Sequence, residues 1–279
     1  MKPSLLSRNI AQIYISLVPF ISGILGFGVG YTSYKIYLPI WIANVILMIV
    51  AAWTLGLHVS RDNNEEKKQI AKSAFFLLIP WILVSMFAGL GPPPETAAGW
   101  LDSSTEQQVR YFMLVIAGVF IAFGFVGLSD KLKNSGETFY SLLGLASIFI
   151  AIPLFIINML YWGFFLPELF KIQIVSGTGV SPDWFIPIRK LFGLMSVVEV
   201  ALTYIATVAF AISLKLTGWF GKKASLIYIL LSLVAFLFIV LSAFLPEPFI
   251  TGGFAVSIPA TPFLMPYFIG INLLRRVGN

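Results

Sequence analysis

Eight nearly unbroken apolar runs set what this 279-residue chain can become: 10–30, 38–59, 73–90, 109–128, 139–163, 188–214, 225–245 and 257–274. Crossing a hydrocarbon layer takes about 20 mostly apolar residues in a helix, and each run reaches or approaches that length. Lipid offers the backbone no hydrogen-bond partner, so a spanning segment is either a helix or a strand of a closed barrel. The period-2 alternation of a membrane barrel is absent. Charged residues make up only 11% of the chain and hydrophobic ones 58%, against about 25% charged in a soluble domain. A water-surrounded core of this length cannot absorb that much apolar surface. The expectation is an all-α integral membrane protein: one polytopic domain over residues 1–279, a bundle of about eight transmembrane helices.

Orientation follows from where Lys and Arg fall in the short connections. Placing the N-terminus in the cytoplasm puts Lys2, Arg8, Arg61, Lys67, Lys68, Lys72, Lys131, Lys133, Lys215, Lys222, Lys223, Arg275 and Arg276 inside. Lys35, Arg110, Lys171, Arg189 and Lys190 fall outside, so the split is thirteen to five. Both termini are therefore expected to be cytoplasmic, in a plasma or inner membrane. The run at 10–30 follows Lys2 and Arg8 as a signal peptide would, but no small-residue cleavage site follows it cleanly, and it reads as an uncleaved span. The inner connections 60–72, 129–137 and 215–224 are short and charged. The outer ones, 91–108, 164–187 and 246–256, are longer and rich in Pro and Gly.

The run at 188–214 carries one acid, Glu199, close to its midpoint. An ionisable group at the bilayer centre costs about 2.5–3.5 kcal/mol on insertion scales, so it needs a compensating interaction or a task. At 100° per residue, Ser196, Glu199, Thr203, Ala206, Thr207, Phe210 and Ser213 share one face. Leu194, Val197, Ala201, Ile205 and Val208 share the other. The first face is expected to point into the bundle. No Lys or Arg stands at matching depth, so the simplest state is a neutral acid donating one hydrogen bond. Tyr267, Asn44 and, on the same helix, Thr203 are the candidate partners. Glu199, Thr203, Ser196, Asn44 and Tyr267 are thus the candidate binding or coupling residues. Two readings are open: a carboxyl that couples protons or binds a ligand, or a neutral acid joining helices.

Other features carry paired readings. Pro259, Pro262 and Pro266 interrupt the last run. Such a break either frees backbone groups for a solute, as in transporters, or only kinks the helix. Gly26 and Gly30 permit close helix approach, within this chain or to another subunit. The aromatic residues near span ends, among them Trp100, Tyr111, Tyr161 and Trp162, are interfacial anchors or the lining of an outward cavity. The residues 61–72 form either a solvated connector or a short helix lying along the membrane. His58, the only histidine, reads as a boundary residue.

With no cysteine and one histidine, disulfides, thiolate chemistry, iron–sulfur clusters and bis-histidine haem are excluded, and no metal site or cofactor is expected. No phosphate-binding glycine loop, HExxH motif or Ser–His pair is present. The positive net charge of +6 is spent on membrane topology, so no nucleic-acid partner is expected. The partners expected are the lipid bilayer, a small solute, and either further copies of the chain or other membrane subunits. The leading functional expectation is a small-solute or ion permease with an intramembrane carboxylate. The alternatives are a non-catalytic subunit of a larger membrane complex and, ranked last, an enzyme acting on a lipid or isoprenoid.

Overall fold

The computed structural model describes residues 4–175 and 182–279. Lys2 and the stretch 176–181 of the 164–187 connection lie outside the described residues. The described chain is helical throughout, with one isolated antiparallel bridge between Tyr31 and Leu90. Its helices are α1 (Leu5–Gly28), α2 (Tyr34–Leu55), α3 (Glu65–Val84), α4 (Phe87–Leu90), α5 (Ala97–Asp102), α6 (Ser104–Asn134), α7 (Phe139–Leu160), α8 (Leu166–Val175), α9 (Phe185–Leu216), α10 (Lys222–Leu241), α11 (Phe249–Ser257) and α12 (Leu264–Val277). A single π turn, Tyr161–Phe165, joins α7 to α8. Among the described residues seven helical segments are long and apolar enough to cross a membrane, and α11 with α12, bent by 68° at their break, would make an eighth if the pair counts as one span.

Several helix boundaries differ from the apolar runs. Asn64 Oδ1 accepts from the Lys67 N–H at 3.0 Å, which starts α3 at Glu65, with Glu65 and Glu66 in its first turn. Most of the 61–72 segment is therefore the start of a span, neither a solvated connector nor a surface helix. Helices α6 and α9 begin at Ser104 and Phe185, each a turn or so before the apolar run becomes dense and neither with a side-chain cap. Lys131 and Lys133, Lys215, and Arg275 with Arg276 occupy last turns, where a helix dipole favours cations.

Proline acts as its position dictates. Pro19, Pro39, Pro80 and Pro153 all sit inside continuous helices. Only the last span breaks, around Pro259 and Pro262. Pro266 falls in the first turn of α12, where a missing N–H costs nothing.

The bundle is organised around α3 and α9, the two most buried spans. Helix α3 packs against α6 and α12, and α9 against α7 and α10, with α6 joined to α7. Backbones approach closely where side chains are small. A Cβ at Gly270 of α12 would lie 2.7 Å from the Ala74 carbonyl oxygen of α3. One at Gly26 of α1 would lie 3.1 Å from the Phe87 carbonyl oxygen, whereas Gly30 faces open space. Half of that GxxxG pair is thus used inside the chain.

Both chain ends share one end of the bundle. Arg8 Nη2 donates to the carbonyls of Arg275, at 2.8 Å, and Leu55, at 3.3 Å. The Lys131–Glu66 ion pair and the Arg276 bond to the Trp219 carbonyl lie at that same end. The opposite end gathers the 29–33 and 91–103 connections, tied by the Thr32 N–H to the Gly89 carbonyl at 2.9 Å and Tyr31 Oη to Glu106 Oε1 at 2.9 Å.

Candidate functional site

Glu199 lies near the middle of α9 and is 3% exposed, as an acid on the bundle-facing stripe should be. The stripe itself is buried through Thr203, Ala206, Thr207, Phe210 and Ser213. The opposite face is not uniformly lipid-facing: Leu194 is exposed, but Ala201 is buried against α10-side residues with Val200 and Tyr204. The cause is that α9 is central and packs on both α7 and α10.

The carboxyl of Glu199 meets a partner that depth matching along the sequence does not identify. Asn158 of α7 donates from Nδ2 to Glu199 Oε1 at 3.0 Å. Tyr267 Oη instead donates to the Ile15 carbonyl at 2.6 Å. Asn44 accepts from Tyr14 Oη at 2.6 Å and donates to Ser85 Oγ at 2.9 Å, in a cluster of α1, α2 and the end of α3. Both proposed partners are therefore committed elsewhere, Asn44 because α9 packs against α7 and α10 instead of α2, and Tyr267 because its hydroxyl turns to α1. Thr203 Oγ1 turns back to the Glu199 carbonyl of its own helix, at 2.8 Å, so it does not hold the carboxyl. Asn158 is the one amide in the run at 139–163; a polar residue of that size in an apolar span was the available signal.

One hydrogen bond leaves this cluster unfinished. Glu199 Oε2, Asn158 Oδ1 and Tyr161 Oη are buried and have no hydrogen-bond partner among the described residues. All three residues line one cavity of about 840 Å³, within the size range of ligand sites. Ser196 and Thr203 line it too, so the structure brings together three of the five candidate residues and leaves out Asn44 and Tyr267. Buried polar groups without partners cost about 1–3 kcal/mol each, so three converging on one space mark a place where something else supplies the bonds.

The walls explain how the cavity persists. The π turn Tyr161–Phe165 widens the helix at the wall, and Tyr161 stacks on Phe192 of α9 with ring centroids 3.8 Å apart. π turns of this kind recur at functional sites because they re-aim side chains. The break in the last span supplies Pro259 and Pro262 to the lining, so the broken helix and the acid belong to one site. At the end away from the termini, Pro94, Glu95, Trp100 and Trp162 form the mouth. Trp100, Tyr111, Tyr161 and Trp162 all line the cavity. Arg189 also lines the cavity, ten residues before Glu199 on α9 and therefore about 15 Å nearer the mouth.

Towards the termini the cavity is closed. Below Thr203 the ring of Phe210 packs on Phe125 at 4.5 Å between centroids. Across from it, a Cβ at Gly144 of α7 would lie 2.6 Å from the Phe210 ring and 3.2 Å from the Ala206 carbonyl. The site thus communicates with one side of the bundle and ends at a dense plug of α6, α7 and α9. No group of three or more His, Asp or Glu side chains able to hold a metal is present among the described residues. Comparison of the chain with protein-family models, with curated proteins and with solved structures gave no match.

Proposed function

We propose that the chain is a small-solute carrier of a cell membrane, its termini on the cytoplasmic side, with Glu199 as the coupling group. The observation that carries this reading is the convergence of three unpartnered buried polar atoms, on Glu199, Asn158 and Tyr161, in a cavity that is open at one end and plugged at the other. Such one-sided access to a mid-span site, beside a broken helix, is the arrangement alternating access requires. Two of the unpartnered atoms are oxygens that accept, so the solute is one that donates N–H or O–H bonds, with an apolar part for the aromatic walls. The carboxyl then accepts either a proton or the solute's donor, and this competition links the two fluxes. The plug of Phe210 against Gly144 and Phe125 is the element that opens when the mouth closes.

The test is a comparison of wild type and Glu199→Gln in liposomes loaded with a pH-reporting dye and challenged with a panel of small amines and polyols. The wild type moves protons when a transported solute is added. Glutamine keeps the acceptor for Asn158 but does not titrate, so the solute-dependent proton signal falls to that of protein-free liposomes. Equal coupled flux with glutamine in place would remove Glu199 from the mechanism.

A further inference from the structure

A second cavity, of about 440 Å³, has the opposite polarity. It lies between α1, the upper part of α3, the start of α6 and the break after α11, and its lining is mostly apolar. Arg110 of α6 is the one charged side chain in its wall, and Trp81 of α3, Ser22, Tyr111 and Thr261 are the other polar ones. Arg110 is 5% exposed and Trp81 8%. Arg110 donates from Nη2 to the carbonyls of Gly91, at 2.7 Å, and Leu90, at 3.1 Å, and its guanidinium lies 5.4 Å from the centre of the Phe87 ring. Its Nε and the Trp81 Nε1 find no acceptor among the described residues.

A buried guanidinium is normally paired with an anion, since carbonyls alone do not neutralise it. No carboxylate lies within ion-pair distance of Arg110 among the described residues. The nearest in sequence, Glu106, one turn earlier on α6, accepts from Tyr31 Oη at 2.9 Å instead. What this cavity lacks is an acceptor carrying negative charge. Its mouth is apolar, since Phe20, Ile24 and Phe27 of α1 line it and are themselves exposed, Ile24 at 71%, and such a surface on a candidate span is suited to lipid and not to water. An apolar cleft opening sideways into lipid, with an unpaired cation on its wall near the end of the bundle, selects a ligand that is apolar along its length and anionic at its head.

We propose that this cleft binds an anionic amphiphile of the membrane, its acyl chain between α1 and the break after α11, and its phosphate or carboxylate on the Arg110 guanidinium. The ligand completes the ion pair that the chain leaves open and accepts from the Trp81 indole or from Arg110 Nε. The site adjoins the Glu199 cavity, with Phe27, Pro92, Pro93, Tyr111, Ile258 and Pro259 lining both, but it uses a different charged group and stands whether or not Glu199 moves a solute. Through Ile258 and Pro259 an occupant here touches the hinge of the broken span.

The experiment is native mass spectrometry of the full chain incubated with phosphatidylglycerol, oleate or phosphatidylcholine at equal mole fraction. The wild type retains one molecule of an anionic probe about tenfold better than phosphatidylcholine, the gain expected of a charge-assisted bidentate contact. Retention of phosphatidylglycerol identifies a lipid headgroup as the source of the anion, and retention of oleate alone identifies a free fatty acid. Arg110→Gln lowers retention to the phosphatidylcholine level. Because Arg110 also holds the 90–91 backbone, Gly23→Leu provides a second variant: Gly23 lines the cleft, and a Cβ there meets nothing within 4 Å, so leucine fills the cleft without touching the guanidinium. Phosphatidylcholine retained as well as the anionic probes, or wild-type retention by either folded variant, overturns the proposal.

Discussion

Two carboxyls at the buried or half-buried positions of this chain are held in opposite ways, and the difference separates a structural acid from a functional one. Glu137, in the connection before α7, accepts from the Tyr140 N–H at 2.9 Å, the Ser141 N–H at 3.1 Å and the Ser213 hydroxyl of α9. Partial burial pushes its carboxyl up, but these bonds, with one from the Phe139 N–H, outweigh it and hold the group below the usual carboxylate range. A depressed folded-state value means that the charged form stabilises the fold above the unfolded value. That contribution is lost as pH falls through the folded one. Melting in detergent should therefore drop below about pH 4.3, the ordinary glutamate value. Glu137→Gln should flatten that part of the curve, and Glu137→Ala should cost about 1 kcal/mol, the worth of a helix cap; a variant whose pH profile overlays the wild type's removes Glu137 from the acid limb. Glu199 has one bond where Glu137 has several. Its depth and its face were readable from the sequence, since both follow from counting along one helix. Its partner was not, because Tyr267 and Asn44 match it in depth while only packing decides that α7 is the neighbour. Arg110 shows the same limit: the apolar run starts at 109, so the residue reads as a flanking charge until Ser104 is seen to start the helix.

At the scale of elements, the site depends on how tightly α7 and α9 cross below Glu199. The π turn spreads them at the cavity, and Gly144 brings them together a few turns away. A Cβ at Gly144 would meet both a ring and a carbonyl, so Gly144→Ala should overpack the crossing and cost about 1–3 kcal/mol. Gly193, on α9 beside the cavity, is the matched control, because a Cβ there meets nothing within 4 Å. Gly193→Ala should gain about 0.5–1 kcal/mol from the helix propensity of alanine. Paired melting curves check this, and equal shifts in the two variants would mean that the crossing is not the dense plug on which one-sided access rests. The broken last span was readable from three prolines within eight residues, because proline chemistry is local. Its placement against Glu199 was not, since that needs α11 to fold back over α10. The π turn leaves no trace in an apolar run: Tyr161–Phe165 differs from its surroundings only in being aromatic.

Across the whole molecule, the Arg8 bond to the Arg275 carbonyl holds the two ends of the described chain together, as eight crossings require when the bent α11–α12 pair is counted as one. Close backbone contact reinforces that closure: a Cβ at Gly56, after α2, would fall 1.9 Å from the Leu274 carbonyl oxygen of α12. Charge then distinguishes the two ends. Arg110 is buried at the end away from the termini and Lys131 at the other, so among the described residues four cations face the surroundings at the first end against eleven at the second. Moving many cations across an energised membrane is opposed by the potential, about 2.3 kcal/mol for each charge per 100 mV, which supports the proposal that the end with the termini stays on the side of synthesis. The absence of cysteine makes this directly measurable, because any introduced thiol is the only one. Asp62→Cys, between α2 and α3, and Asp183→Cys, before α9, place exposed thiols at opposite ends. With a membrane-impermeant maleimide on intact cells, Asp183→Cys should label at once and Asp62→Cys only after permeabilisation. The reverse order would put the termini outside and turn the Glu199 cavity towards the cytoplasm, which would make the captured state an exporting one; labelling of both from one side would refute the even-numbered bundle itself.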